Sequence, residues 1–135
     1  MSEICSGFIF IDSKTRETLL FEKCNKEWEL LSGVLNEKQK DLVESARDIA
    51  FDLAGIRVDV DSIDPNFKFT FDKMEGEQVH QVNLFLCEVD KSRIPFRLQT
   101  SRWAYCQWFN REKAYSLLHD QSLIKALEEA YERPL

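Results

Sequence analysis

Between Trp28 and Ile56 the chain reads as a short strand, then a loop with one glycine, then a helix whose two sides differ in character. Leu42, Ala46, Ile49 and Leu53 fall on one stripe at the helical period, with Ala50 and Val43 at its edge, so this side must face a core. Glu44, Asp48 and Asp52 recur at every fourth residue and line the opposite side. Phe51 sits among those acids, where it is either exposed or covered by another element or a partner. The helix is expected to begin near Lys38 to Lys40, with Asp41 and Glu44 suited to its positive N-terminus, and to stop by Gly55, a good C-cap residue. Gly33 to Lys38 reads as the preceding loop, with the glycine at a tight turn.

The rest of the chain supplies strands before this helix and strands and helices after it. Cys5 to Ile11 is a β-branched and aromatic run that ends in a polar turn, and Thr18 to Glu22 reads as its hairpin partner. Trp28 to Leu31 and Ile56 to Val60 read as short strands. Phe67 to Phe71 alternates strictly, and Lys73 to Glu77 is a hairpin loop with its glycine. Val79 to Val89 is the longest strand, apolar enough at its centre to be buried on both faces. Trp103 to Phe109 is the last strand. Asn110 and Asp120 then cap two helices, the second running from Gln121 to Glu132 with Leu123, Ile124, Leu127 and Tyr131 on its apolar side. No linker or repeat interrupts the 135 residues, so residues 1–135 are expected to form one domain.

Composition narrows the function classes. There is no apolar run near twenty residues, so no membrane span is expected, and the N-terminal residues lack the pattern of a signal peptide. The four cysteines are single, at Cys5, Cys24, Cys87 and Cys106, and form no CxxC pair. They are expected as reduced, mostly buried thiols, which points to an intracellular protein, cytoplasmic or nuclear. A formal charge of −6 argues against bulk binding of a nucleic-acid backbone.

The stretch from Gly33 to Gly55 resembles the Nudix box, the loop-helix motif of the Nudix hydrolases. Arg47 falls on the motif's arginine, Ile49 on its apolar position and Ser45 on a position usually small. Several acidic positions depart from the pattern. The first glutamate is Gln39, the Arg-Glu pair is Arg47-Asp48, the Glu-Glu pair is Phe51-Asp52, and the motif glycine is Ala54 with Gly55 one residue late. The order of elements is similar to the Nudix fold over nearly the whole chain, an α/β fold with a mixed β-sheet sandwiched between helices (α-β-α). Asn83 to Val89, with Trp108, looks like the diadenosine tetraphosphate hydrolase branch. Arg102, Trp103 and Cys106 stand where that branch has a glutamate, a histidine and a tyrosine.

The resemblance implies a pocket for a nucleoside polyphosphate and a Mg²⁺ or Mn²⁺ ion held by box carboxylates, which activates water and clamps the pyrophosphate. On this chain the metal positions would be Glu44, Asp48 and Asp52, and the catalytic positions Arg47, Asp48 and Asp52. Phe51 offers no oxygen, Gln39 offers a neutral one, and Arg102 cannot act as a general base because guanidinium stays protonated. Metal binding is therefore expected to be weak or lost. The plain alternative for Asp48 and Asp52 is a solvated helix face, and for Arg47 a surface arginine. Arg102, Trp103 and Tyr105 are candidates for ligand binding, since an arginine beside aromatic rings suits a phosphate plus a stacked base. Strand alternation puts Trp103 and Tyr105 on one face, and at least one face of this strand is expected to be core. Phe51 is a candidate partner contact, and His80 and His119 read as structural.

Three functions are consistent with this pattern: a Nudix-like domain with little or no hydrolysis that binds a nucleotide ligand or a protein partner, an active pyrophosphohydrolase with a shifted acidic site, or a structural subunit that docks through Phe51.

Overall fold

The computed structural model describes residues 2–35, 41–95, 97–98 and 103–133. Seven strands and three α-helices follow one another among them: β1 (Ser2–Asp12), β2 (Thr18–Lys23), β3 (Trp28–Glu29), β4 (Leu31–Val34), α1 (Leu42–Ala54), β5 (Phe69–Glu75), β6 (Gln78–Val89), β7 (Trp103–Phe109), α2 (Arg111–Leu117) and α3 (Gln121–Tyr131).

The long apolar runs form the middle of the sheet. β1 and β6 lie side by side and parallel, from Ser2 opposite Val79 to Asp12 opposite Val89. Parallel neighbours of this kind are covered on both faces, which is why both strands are apolar through their centres. The sheet order is β3-β2-β1-β6-β5, with β4 paired to β1 and β7 to β2. The expected hairpin of β1 and β2 exists only at its turn, where Ile11 faces Thr18. Beyond that point β2 takes β7 as its antiparallel partner, from Thr18 opposite Phe109 onward. The stretch expected as one strand at Trp28 to Leu31 is two, because the chain leaves β2 after Glu29 and pairs with β1 from Leu31.

Alternate residues of these strands build two cores. On one face Phe8, Phe10, Phe21, Phe85 and Cys87 pack against Ala46, Ala50 and Ala54 of α1. On the other Ile9, Ile11, Leu20, Leu84 and Leu86 pack against Ala114 of α2 and Leu123, Leu127 and Ala130 of α3. The sheet is thus a mixed layer between helices, as read from the sequence. The buried line of α1 is rotated from the expected stripe: Ser45, Ala46, Ala50 and Ala54 are buried, while Leu42, Val43 and Leu53 flank them half-buried. Small side chains let α1 sit close to phenylalanines that already fill the space from the sheet side. Gly33 serves the same approach. It lies in β4, not in a turn, and a Cβ there would meet Ile49 Cγ2 at 3.1 Å and Leu53 Cδ1 at 3.2 Å.

The acid limb of stability has an identifiable source in Asp12. This carboxylate is buried at the end of β1 and accepts from Lys91 N at 2.8 Å, Thr15 N at 2.7 Å, Thr15 Oγ1 at 2.8 Å and Lys14 N at 3.3 Å. Burial alone raises its pKa, but these donors outweigh burial and hold it at about 2, against an ordinary 3.8. A depressed carboxylate stabilises the fold fully above its unfolded pKa and loses that contribution as pH falls through its folded one. The contribution here is about 2 kcal/mol, lost between about pH 4 and pH 2. Asp12→Asn is expected to cost about that much at pH 7 in urea denaturation, and the gap to the wild type should close by pH 2. A gap that stays constant with pH would show that the ionised carboxylate is not the source.

Candidate functional site

The acidic face of α1 is set by the helix ends. Asp41 accepts from Val43 N at 2.9 Å as N-cap. Gly55 ends the helix at φ +68, with its N–H on Phe51 O at 2.8 Å and Ile56 N on Ala50 O at 3.2 Å. A side chain at Gly55 would also meet Arg97 N and Cβ at 2.9 Å, next to the bond from Arg97 N to Ala54 O at 2.6 Å. Gly55 therefore acts as expected, while Asp41, expected within the first turn, is the N-cap itself. The helix begins at Leu42, later than the expected start near Lys38 to Lys40; residues 38–40, Gln39 among them, lie outside the described residues.

After Gly55 the chain returns alongside α1. The alternation of Ile56 to Val60 holds in part, with Ile56 and Val58 buried and Arg57 and Asp59 exposed. Yet the segment is extended backbone without a strand partner and closes in a 3-10 turn at Val60–Ser62. Arg47 fixes it, donating from Nε to Val58 O at 3.0 Å. Arg47 is half-buried, so it is not the plain surface arginine that the sequence also allowed.

Between α1 and the returning segment lies a cleft of about 500 Å³ lined by Glu44, Arg47, Asp48, Phe51, Arg57 and Val58. Phe51 is 46% exposed, and the Arg57 guanidinium carbon lies 4.7 Å from the centroid of its ring. Arg57 is the residue that sequence reading passed over. Its signal was its outward place between two apolar residues that turn inward, directly after the helix cap. Asp52 is exposed and does not line the cleft.

The expected metal trio is thus not brought together. Glu44 and Asp48 share the cleft with two arginines, and among the described residues no three His, Cys, Asp or Glu side chains are grouped so as to hold a metal ion. Mg²⁺ demands near-octahedral oxygen ligands at about 2.1 Å. Phe51 and the guanidinium over it offer none, so Glu44 and Asp48 are the carboxylates that line the cleft among the described residues.

The second candidate group is split. β7 carries a bulge: Tyr105 faces Glu22 and Trp103 faces Lys23, so Ala104 is an extra residue and the alternation slips by one. Trp103 and Tyr105 therefore do not share a face. Trp103 is buried on the α1 side against Phe21, with ring centroids 5.4 Å apart. Tyr105 is half-exposed with its ring edge-on to Trp28 at 6.3 Å. Arg102 lies outside the described residues. His80, which reads as structural, has Nδ1 3.7 Å from Cys5 Sγ and Nε2 3.6 Å from Glu3 Oε2. Cys5, Cys87 and Cys106 are buried and Cys24 is exposed, all four as free thiols. Burial pushes the Cys87 and Cys106 thiols up to about 11, away from the reactive thiolate.

No helix among the described residues is long and apolar enough to cross a membrane. No protein-family model matches the chain, and no curated protein matches it. Solved structures do. The Ap4A hydrolase of C. elegans, in a binary complex, superposes with a TM-score of 0.81 at 14% identity, covering 94% of this chain and 93% of that one. The NUDIX domain of Shewanella oneidensis NrtR complexed with ADP ribose gives 0.79 at 11% identity, covering 98% and 88%. The E. coli dihydroneopterin triphosphate pyrophosphohydrolase gives 0.73 at 14% identity, covering 93% and 92%. With the mixed sheet between helices and the loop-helix that carries Arg47, these likenesses show that the chain has the Nudix fold.

Proposed function

We propose that this Nudix-fold domain binds a nucleoside polyphosphate or a related nucleotide at the α1 cleft and hydrolyses it little or not at all. One observation carries the reading. Where the box motif places a carboxylate, this chain has the Phe51 ring, and it lies under the Arg57 guanidinium. That arrangement supplies positive charge and an apolar surface where hydrolysis needs metal-ligating oxygen. The NUDIX domain crystallised with ADP ribose supports a nucleotide-type ligand for this fold.

The test is hydrolysis of diadenosine tetraphosphate, ADP-ribose and nucleoside triphosphates in Mg²⁺ and in Mn²⁺. No turnover above background is expected. Turnover that disappears in Asp48→Ala with Asp52→Ala would instead establish an active pyrophosphohydrolase with a shifted acidic site at Glu44, Asp48 and Asp52. A second reading rests on the same exposed ring: 46% of Phe51 is open to a protein partner. Its mark would be a co-purifying protein lost on Phe51→Glu in a domain that binds no nucleotide.

A further inference from the structure

We infer that β3 and β5, the two end strands of the sheet order, meet at a seam that opens and closes, and that the ion pair between Lys73 and Glu29 is its clasp. The seam is a conformational device of the sheet, separate from the cleft beside α1.

Each of these strands is held by its neighbour on one side only. Among the described residues β3 has a two-residue ladder to β2, and β5 has a ladder to β6. Among the same residues no ladder joins β3 to β5, which stand at opposite ends of the order β3-β2-β1-β6-β5. A strand paired on one side frays more readily than the strands inside a sheet. A side-chain contact joins the two ends instead. Lys73 of β5 donates from Nζ to Glu29 Oε1 of β3 at 2.8 Å.

The contact can both hold and release. Glu29 is 9% exposed, so its carboxylate is largely withdrawn from water and has to be paired. Lys23 of β2 reaches the same oxygen at 3.1 Å. β2 is the ladder partner of β3, so Lys23 and Glu29 stay together, whereas Lys73 belongs to the far end of the sheet. When Lys73 leaves, Lys23 still pairs the carboxylate, and opening avoids the cost of a buried charge left alone. The Lys73 side chain is 26% exposed, so its ammonium has water to move into. Beside the clasp, Trp28, Phe69 and Phe71 are half-buried against one core. Phe71 precedes Lys73 by two residues and so shares its face of β5. Burial of these rings favours the closed seam, and opening uncovers them.

The test is hydrogen–deuterium exchange on the whole chain, in the wild type and in Lys73→Met, Lys23→Met and Glu29→Gln. Lys73→Met leaves Glu29 paired with Lys23, so the domain should fold. It should speed exchange about tenfold or more in the β5–β6 ladder, and also in the β2–β3 ladder at the other end of the order. The β1–β4 ladder should keep its wild-type rate. Glu29→Gln keeps an acceptor and loses the charge, so it should speed both ends by a smaller factor. Lys23→Met leaves the clasp in place and should leave β5 at its wild-type rate. Acceleration by Lys73→Met in both end ladders, with β1–β4 unchanged, supports the seam. No acceleration, acceleration confined to β5, or acceleration that includes the β1–β4 ladder overturns it. An equal effect of Lys23→Met on β5 overturns the assignment of the clasp to Lys73.

Discussion

Gly7→Ala is expected to be the most damaging single methyl group that can be added to this chain. Gly7 lies in β1 between two partners, Ser32 of β4 on one side and Leu84 of β6 on the other. A Cβ at this position would stand 1.9 Å from Leu31 O, 2.7 Å from Ser32 Cα and 2.8 Å from Leu31 C. All three atoms are backbone, so no rotamer change relieves the contact. β4 would have to move off β1, breaking the ladder from Cys5–Val34 to Phe8–Leu31 and carrying Gly33 away from its packing on Ile49 and Leu53. Overpacking a core with side chains able to shift costs about 1–3 kcal/mol. A clash against an unyielding strand belongs in the tail beyond it, at about 4 kcal/mol or more. For a domain of this size that lowers Tm by about 12 °C or more in calorimetry. A shift under about 3 °C would mean that β4 does not cross β1 this closely.

The damage foreseen at Gly7 also marks where sequence reading is informative and where it stops. β1, β6, β7, α1 and the C-terminal helices were legible because each buries a long face and prints its period in the residue order. The caps Gly55, Asn110 and Asp120 were legible because orphan helix ends demand particular chemistry, whereas Asp41 reads as a first-turn acid and is in fact the cap. Pairing was not. Thr18 to Glu22 looks like the partner of β1 because it follows a turn, yet its ladder is with β7, more than eighty residues away. Nothing local to β2 encodes that choice. Ile56 to Val60 alternates as a strand does, because one side of it meets the core; it lacks a ladder because α1, not a strand, lies beside it. The site was legible in one dimension only. Helical spacing put Glu44, Asp48, Phe51 and Asp52 on one side of one helix; with Arg47 the first three line one cleft, and Asp52 does not. Arg57 completes that cleft from a segment outside the helix, which no helical wheel of α1 includes.

The bulge in β7 yields the second large effect, since it decides which aromatic residue supports the fold and which faces solvent. Without the extra residue at Ala104, Trp103 and Tyr105 would point the same way, and both would be credible ring-stacking partners for a base. With it, Trp103 turns into the core beside Phe21 and Cys106, and Tyr105 stays half-exposed at the edge of Trp28. Trp103 is 1% exposed, so its indole has no surface to offer a ligand in this arrangement. Trp103→Ala removes a large buried ring and leaves a cavity between β7, β2 and the α1-side core, a change that costs about 3–5 kcal/mol. A Tm lowered by about 10 °C or more follows. Tyr105→Ala removes one edge-on contact from an exposed position and should cost about 1 kcal/mol. The pair is informative because a ligand-binding role for Trp103 predicts the reverse pattern. A Trp103→Ala domain that keeps its Tm but loses ADP binding would return Trp103 to the surface and remove the bulge from the account of β7. A destabilised Trp103→Ala domain that still binds ADP below its lowered Tm would separate the two roles, leaving the ring to the core and the ligand to α1.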